Sequence, residues 1–274
     1  MDHWHPLWWW GSVIVFLASA LAMCLIVMRQ GDRAMRLARS AVIFFKQKGS
    51  DPLFNSATVR GSEGGVFVIG DSIAASFGAP KALSRAMRDV LGCTVTTYGI
   101  NGIQTKEHTR LAAAVGSPQF KSACTVIVSL GGNDGIRHRD FDEYAFRSSI
   151  RQAVAWFKLH MGEGQRLVWS TFPKEYWRLP SFRVVGPRQE VVHSVWSVMQ
   201  DELRQLGIRT YAFPSWEERV LHRSEMIGGD GLHPSAAGYA LLAQDWASVL
   251  SQSDENGTDG AGSEKEKTSP QVEG

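Results

Sequence analysis

Cysteine is scarce in this chain: three in 274 residues, Cys24, Cys93 and Cys124. An odd, sparse set is no disulfide framework, and without a Cys-x-x-Cys pair it offers no cysteine zinc site. Net charge is nearly absent too. The 29 Lys and Arg stand against 27 Asp and Glu, a formal +2, which gives no reason to expect a nucleic-acid partner. No internal repeat and no nucleotide loop of the G-x-x-x-x-G-K type occurs. What is there is ordinary for a folded protein with a core: 44% hydrophobic and 20% charged residues, which excludes a disordered or collagen-like chain.

Charge is wholly missing from one place. Residues 7–28, LWWWGSVIVFLASALAMCLIVM, are 22 positions without a charged side chain. At about 1.5 Å per helical residue they span roughly 33 Å, enough for a hydrocarbon core of about 30 Å. Trp8, Trp9 and Trp10 cluster at one end, where indole rings suit the membrane interface. A buried core helix of this length would need a polar face. A cleaved signal peptide normally starts with a positive region, and MDHWHP has no Lys or Arg. The run Leu21-Ala22-Met23-Cys24 is loosely similar to a lipoprotein cleavage site, but Met23 fits it poorly. An uncleaved, single-pass anchor is expected over 1–28, followed by a basic juxtamembrane linker over 29–64. Arg29, Arg33, Arg36, Arg39, Lys46 and Lys48 face only Asp32 before Asp51, so the positive-inside rule places the remainder in the cytoplasm. A periplasmic or other extracytoplasmic location is the alternative. The same stretch, with Met35, Leu37, Val42, Ile43, Phe44 and Phe45 interleaved, suits an anionic membrane surface or a solvated linker helix. From Ser251 the chain is SQSDENGTDGAGSEKEKTSPQVEG, with Val272 its one branched aliphatic residue, and a disordered tail is expected over 251–274.

Between these ends strands and helices alternate. VFVIG (66–70), CTVTTYG (93–99), CTVIVSL (124–130), RLVWST (166–171) and GIRTYAF (207–213) are strand candidates. Val126, Ile127 and Val128 in succession suit a strand buried on both faces. Helical stretches are expected from after Gly70 through Leu91, over 104–115, about 141–160, near 188–206 and from Ser235 to Leu250, the last entered through Pro234 and Ser235. The pattern implies an α/β three-layer sandwich over 65–250, with a five-stranded parallel sheet covered on both faces. In such sheets functional groups gather at the C-terminal ends of the strands.

Those ends hold the unusual residues. Strand one runs into Gly70-Asp71-Ser72, strand two into Gly99-Ile100-Asn101-Gly102, and strand three into Gly131-Gly132-Asn133-Asp134. Asp230-Gly231-Leu232-His233 precedes the last helix. Each alone suits a loop or a helix cap, as Asp71 and Ser72 do. All four in this order, over about 65–250, resemble the blocks of the SGNH hydrolase superfamily, the GDSL esterases and lipases. The resemblance implies a flavodoxin-like SGNH fold, Ser72 as nucleophile, Gly102 and Asn133 as oxyanion donors, and Asp230 and His233 as the other triad members. The stretch 130–137, LGGNDGIR, looks like the bacterial lysophospholipase, thioesterase and arylesterase branch.

The chemistry accounts for these residue types. A serine hydroxyl attacks well only when a neighbouring base takes its proton. An imidazole, with an unperturbed pKa of about 6.5, is suited to that at neutral pH, and a carboxylate orients it. The oxyanion then requires donors, expected from the backbone N–H of Ser72 and Gly102 and the amide of Asn133. No cofactor and no metal is expected. His3 and His5 suit the membrane interface, while His108, His138, His160, His193 and His222 lack the i, i+4 pairing of helical zinc sites. Asp134 suits a turn or structural role. Trp169, Trp177, Trp196, Trp216 and Trp246 suit the core. The aromatic connection over 172–190 suits an acyl-side wall, a membrane-facing lip or a plain surface loop. The expected protein is a membrane-anchored serine hydrolase of carboxylic esters or thioesters, with a small-molecule, lipid or glycan ester as substrate. An O-acetyl esterase or acyltransferase acting on a glycan is the alternative, and a non-catalytic tethered binding module a second.

Overall fold

Runs of β-branched residues bounded by glycine build the centre of the molecule. The computed structural model describes residues 52–59, 64–137, 141–171, 189–211 and 224–255, all within the unit Asp51–Gly274. Its strands are β1 (Leu53–Ala57), β2 (Gly65–Gly70), β3 (Thr94–Gly99), β4 (Thr125–Ser129), β5 (Arg166–Ser170) and β6 (Arg209–Tyr211). They form one sheet in the order β1-β3-β2-β4-β5-β6. All neighbouring pairs are parallel except β1 with β3, which is antiparallel.

The five expected strands are therefore present and parallel, but the sheet is mixed and has six strands. The sixth, β1, falls inside the stretch expected to be linker. It alternates exposed and buried residues, as an edge strand with one covered face does. Phe54 packs edge-on against Tyr98 and Phe67, with ring centroids 6.1 and 6.4 Å apart.

The main helices are α1 (Ala82–Leu91), α2 (Gly132–Arg137), α3 (Glu143–His160), α4 (Gln189–Gln205) and α5 (Ala236–Glu255). Strand periodicity puts Phe67, Ile69, Val126, Val128 and Trp169 on one face of the sheet, where they share a core with Phe146, Ile150 and Phe157 of α3 and Val195 and Met199 of α4. Val68, Ile127 and Val168 point the other way and are equally buried. That side belongs to α1 and α5, which pack together and bury Leu83, Met87, Tyr239, Leu242 and Trp246. Two covered faces explain why the central strands carry no polar alternation.

Two element ends differ from expectation. Residues 72–80 are turns and a bend, and the helix starts only at Ala82. The last helix runs past Leu250 to Glu255. Among the described residues no helix is long and apolar enough to cross a membrane. The expected anchor over 1–28, most of the linker, residues 172–188 of the aromatic connection and the tail from 256 lie outside the described residues.

Candidate active site

β2 is central, flanked by β3 and β4, so the loops after these three strands converge at one end of the sheet. Gly70 ends β2 where a Cβ would lie 2.0 Å from the Ser129 carbonyl oxygen, which excludes any side chain. The next N–H, of Asp71, donates to that same carbonyl at 2.9 Å. Asp71 then folds its carboxylate forward: Oδ1 accepts the Ile73 N–H at 2.9 Å and the Ser129 hydroxyl at 3.3 Å. This Asx turn brackets Ser72. Phe77 N–H closes the turn on the Ser72 carbonyl at 3.0 Å. The turn rests on the last residue of β3, for a Cβ on Gly99 would lie 2.3 Å from the Asp71 carbonyl.

The base comes from the other end of the sequence. Asp230 Oδ1 accepts the N–H groups of Leu232 and His233, both at 3.0 Å, and the Gly228 N–H donates to the His233 carbonyl at 2.7 Å. This compact loop sets the ring. His233 Nδ1 meets Asp230 Oδ2 at 2.6 Å, and Nε2 meets Ser72 Oγ at 2.8 Å. With Nδ1–H donating to the carboxylate, Nε2 is left to accept the serine O–H. Burial alone would raise the Asp230 carboxyl, but the His233 hydrogen bond, the imidazole's charge and the two backbone N–H groups bring it below its ordinary 3.8. It is therefore ionised at neutral pH.

Gly102 stands on the loop after β3, and Asn133 in the first turn of α2, which follows β4. Gly102 has φ 70°, a left-handed turn residue in the loop opened by Ile100 N–H donating to the Gly70 carbonyl. Asn133 Nδ2 donates to the Ile103 carbonyl at 3.0 Å, using one of its two N–H groups. Asp134 Oδ2 accepts both the N–H and the hydroxyl of Thr105, at 2.9 and 3.0 Å, so the segments that follow β3 and β4 are tied together. Burial raises the Asp134 carboxyl to about 6 against those bonds, and it raises Asp71 equally, to about 6, against the Ile73 N–H, the nearby His233 charge and Ser129.

The structure thus joins Ser72, His233 and Asp230 in one hydrogen-bonded chain and carries Gly102 on the loop after β3 and Asn133 in the first turn of α2. Sequence reasoning missed three contributors. The Asp71–Ser129 contact spans two strands, and no local spacing signals it. The Phe77 ring lies 4.5 Å from the His233 ring, and Tyr239 Oη donates to the Phe77 carbonyl at 3.3 Å. His108 packs at 5.5 Å on Trp156, with Nδ1 against the Thr105 carbonyl, as a core histidine does. Among the described residues no group of three or more His, Cys, Asp or Glu side chains is placed to hold a metal ion.

Residues 68–241 match the GDSL-like Lipase/Acylhydrolase family. The chain belongs to this family. The GDSL match covers the first three strand-end blocks and the Asp230–His233 loop, and it makes the chain an ester-hydrolysing enzyme. Solved structures share the fold at low identity. The lipase/acylhydrolase from Enterococcus faecalis superposes with TM-score 0.52 and 20% identity, covering 69% of this chain and 96% of that one. The esterase EstA from a Pseudoalteromonas species gives 0.51 and 15%, over 70% and 98%. LAE5, an alpha/beta hydrolase from the metagenome of Lake Arreo, gives 0.52 and 14%, over 69% and 96%. No curated protein matches the chain.

Proposed function

We propose that this GDSL hydrolase cleaves carboxylic ester or thioester bonds through an acyl-enzyme on Ser72. The observation that carries the reading is the continuous Ser72–His233–Asp230 chain, at 2.8 and 2.6 Å. As Ser72 Oγ attacks the carbonyl carbon, Nε2 takes the hydroxyl proton, and ionised Asp230 stabilises the imidazolium. The oxyanion is received by the Ser72 and Gly102 N–H groups and the Asn133 amide. The imidazolium returns its proton to the departing alkoxide or thiolate. Water then attacks the acyl-enzyme by the same steps in reverse, releasing the acid and free Ser72.

The finer reading is a membrane-tethered enzyme of the lysophospholipase, thioesterase or arylesterase type, acting on the cytoplasmic side. It is supported by the LGGNDGIR block, the uncharged run over 7–28 and the basic residues that follow it. The experiment uses the full chain and a Ser72→Ala variant, with a fluorophosphonate probe, p-nitrophenyl esters of increasing length and an acyl-CoA series. Ser72-dependent labelling and hydrolysis are expected, and a folded protein that neither labels nor hydrolyses refutes the reading. A reporter fused to the C-terminus tests the topology: signal from a periplasm-active reporter alone overturns the cytoplasmic placement.

A further inference from the structure

Asp71 is a carboxylate only 5% exposed, beside the proposed nucleophile, and the steps above do not use it. Among the described residues its side-chain hydrogen bonds run through one oxygen: Oδ1 accepts Ile73 N–H and Ser129 Oγ–H. An asparagine would satisfy both with its amide oxygen and would spare the fold a buried charge. Hydrogen bonding therefore accounts for an acceptor at this position but not for an ionised one. The charge has a partner of another kind. Asp71 directly precedes Ser72, whose Oγ meets His233 Nε2, and its carboxyl feels the charge of His233. Among the described residues of the other elements packed around it Asp71 meets neutral groups, Ser129 of β4 and the backbone of Gly99 at the end of β3. Around His233 the turn of 72–77 contributes Ser72 and the uncharged Phe77 ring, and its own loop contributes Asp230.

We propose that Asp71 is a positioning residue that acts twice: Oδ1 holds the turn presenting Ser72 to His233, and its buried negative charge favours the imidazolium formed during attack. The inference rests on the Ser72–His233 reading above and adds a second carboxylate to it. Attraction between opposite charges is strong where water is excluded, and the imidazolium exists only once the serine proton has moved. Because its carboxyl titrates near 6, Asp71 is mostly ionised at neutral pH and the charge is present when needed.

The test is kcat/KM for p-nitrophenyl acetate from pH 5 to 9, on the full chain, comparing wild type with Asp71→Asn, Asp71→Ser and Ser129→Ala. Asp71→Asn keeps the acceptor and loses the charge. It is expected to fold, to label with fluorophosphonate more slowly, and to lose about tenfold in kcat/KM, with the acid limb of the profile moved to lower pH. Asp71→Ser, a short neutral acceptor, gives the same shift in the limb and serves if the Asn variant does not fold. Ser129→Ala keeps the carboxylate but removes a hydrogen bond that favours its ionised form, so its limb is expected at higher pH, the opposite direction from the neutral variants. Neutral variants with an unmoved acid limb overturn the proposal, whatever their rate, because a purely structural role moves no limb. Wild-type protein without Ser72-dependent labelling fails the underlying reading instead, so the two failures are distinct.

Discussion

Replacing Asp134 by asparagine is expected to stabilise the protein above pH 6 and to lose that effect in acid. Asp134 is 5% exposed and its carboxyl is raised from 3.8 to about 6 by burial. A carboxyl that holds its proton more tightly when folded weakens the fold on ionising. The penalty is absent below the ordinary value, grows between about pH 4 and 6, and is complete above 6. A shift of about two units at about 1.4 kcal/mol each is about 3 kcal/mol. The amide oxygen of asparagine can accept the same N–H and hydroxyl of Thr105. Its new NH2 group must find an acceptor, so the expected gain at pH 8 is about 1–3 kcal/mol. Urea unfolding at pH 4, 6 and 8, followed by the fluorescence of the buried Trp169 and Trp246, measures it. The decisive quantity is the change in the wild-type-to-variant difference with pH. A difference that is the same at pH 4 and pH 8 refutes the reasoning, whatever its sign.

Three further outcomes follow from named contacts. Asn133→Ala removes the side-chain donor proposed for the oxyanion and is expected to lower kcat on p-nitrophenyl esters roughly 100-fold or more; activity within a few-fold of wild type sinks that assignment. Gly99→Ala forces a methyl group to 2.3 Å from the Asp71 carbonyl and the Ala75 nitrogen, so fluorophosphonate labelling of Ser72 should slow by more than tenfold. Glu202 of α4, 1% exposed, binds Arg147 and Arg151 of α3, and these bonds bring its carboxyl below its ordinary 4.5 despite burial. Glu202→Gln should therefore cost about 1–3 kcal/mol at pH 7, with Arg151 discounted as half exposed, and the loss should shrink as the pH falls below 4.5, read by urea unfolding.

The clearest strands in the sequence were β2 and β4, because continuous apolar runs buried on both faces survive any ambiguity of period, whereas β3 and the edge strand β6 were read from β-branched and aromatic residues. Every side chain of β4, TVIVS, is buried, and its register with β2 is the one an inner strand needs. β1 was not legible for the opposite reason. LFNSA is five residues long, two of them polar, and keeps Leu53 and Phe54 exposed, so neither hydrophobicity nor length separates it from linker. The stretch after Ser72 invited a helix through its alanines, Ala74, Ala75 and Ala79. Gly78 at φ 76°, Pro80 and Lys81 at φ 66° prevent one until Ala82. For the site, the order of four polar blocks after strands was visible, and it proved to bring Ser72, His233 and Asp230 together across 161 positions of sequence. What holds the blocks was not visible. Ser129 to Asp71 and Thr105 to Asp134 are contacts between segments distant in sequence, and only the register of β2, β3 and β4 creates them.

Asp71 and Asp230 use one local motif and are shifted in opposite directions from the ordinary carboxyl value. In each, Oδ1 accepts the N–H two residues ahead, at 2.9 and 3.0 Å, and so freezes the backbone around a reactive side chain. Asp230 spends its second oxygen on the imidazole and is held below its ordinary value, whereas Asp71, for which burial outweighs a hydroxyl, an N–H and the His233 charge, is raised to about 6. Paired carboxyls pushed apart in this way have separate duties at neutral pH. The consequence lies in the order of titration. As the pH falls from 7, Asp71 and Asp134 are protonated first, while Asp230 is still ionised and still orients His233. Loss of activity just below pH 6 therefore precedes any loss of the Asp230 charge. The turn at Ser72 keeps its shape through that range, since a neutral carboxyl still accepts the Ile73 N–H. What disappears is a charge that destabilises the folded chain and favours the imidazolium, so the same protonation that strengthens the fold should slow the chemistry.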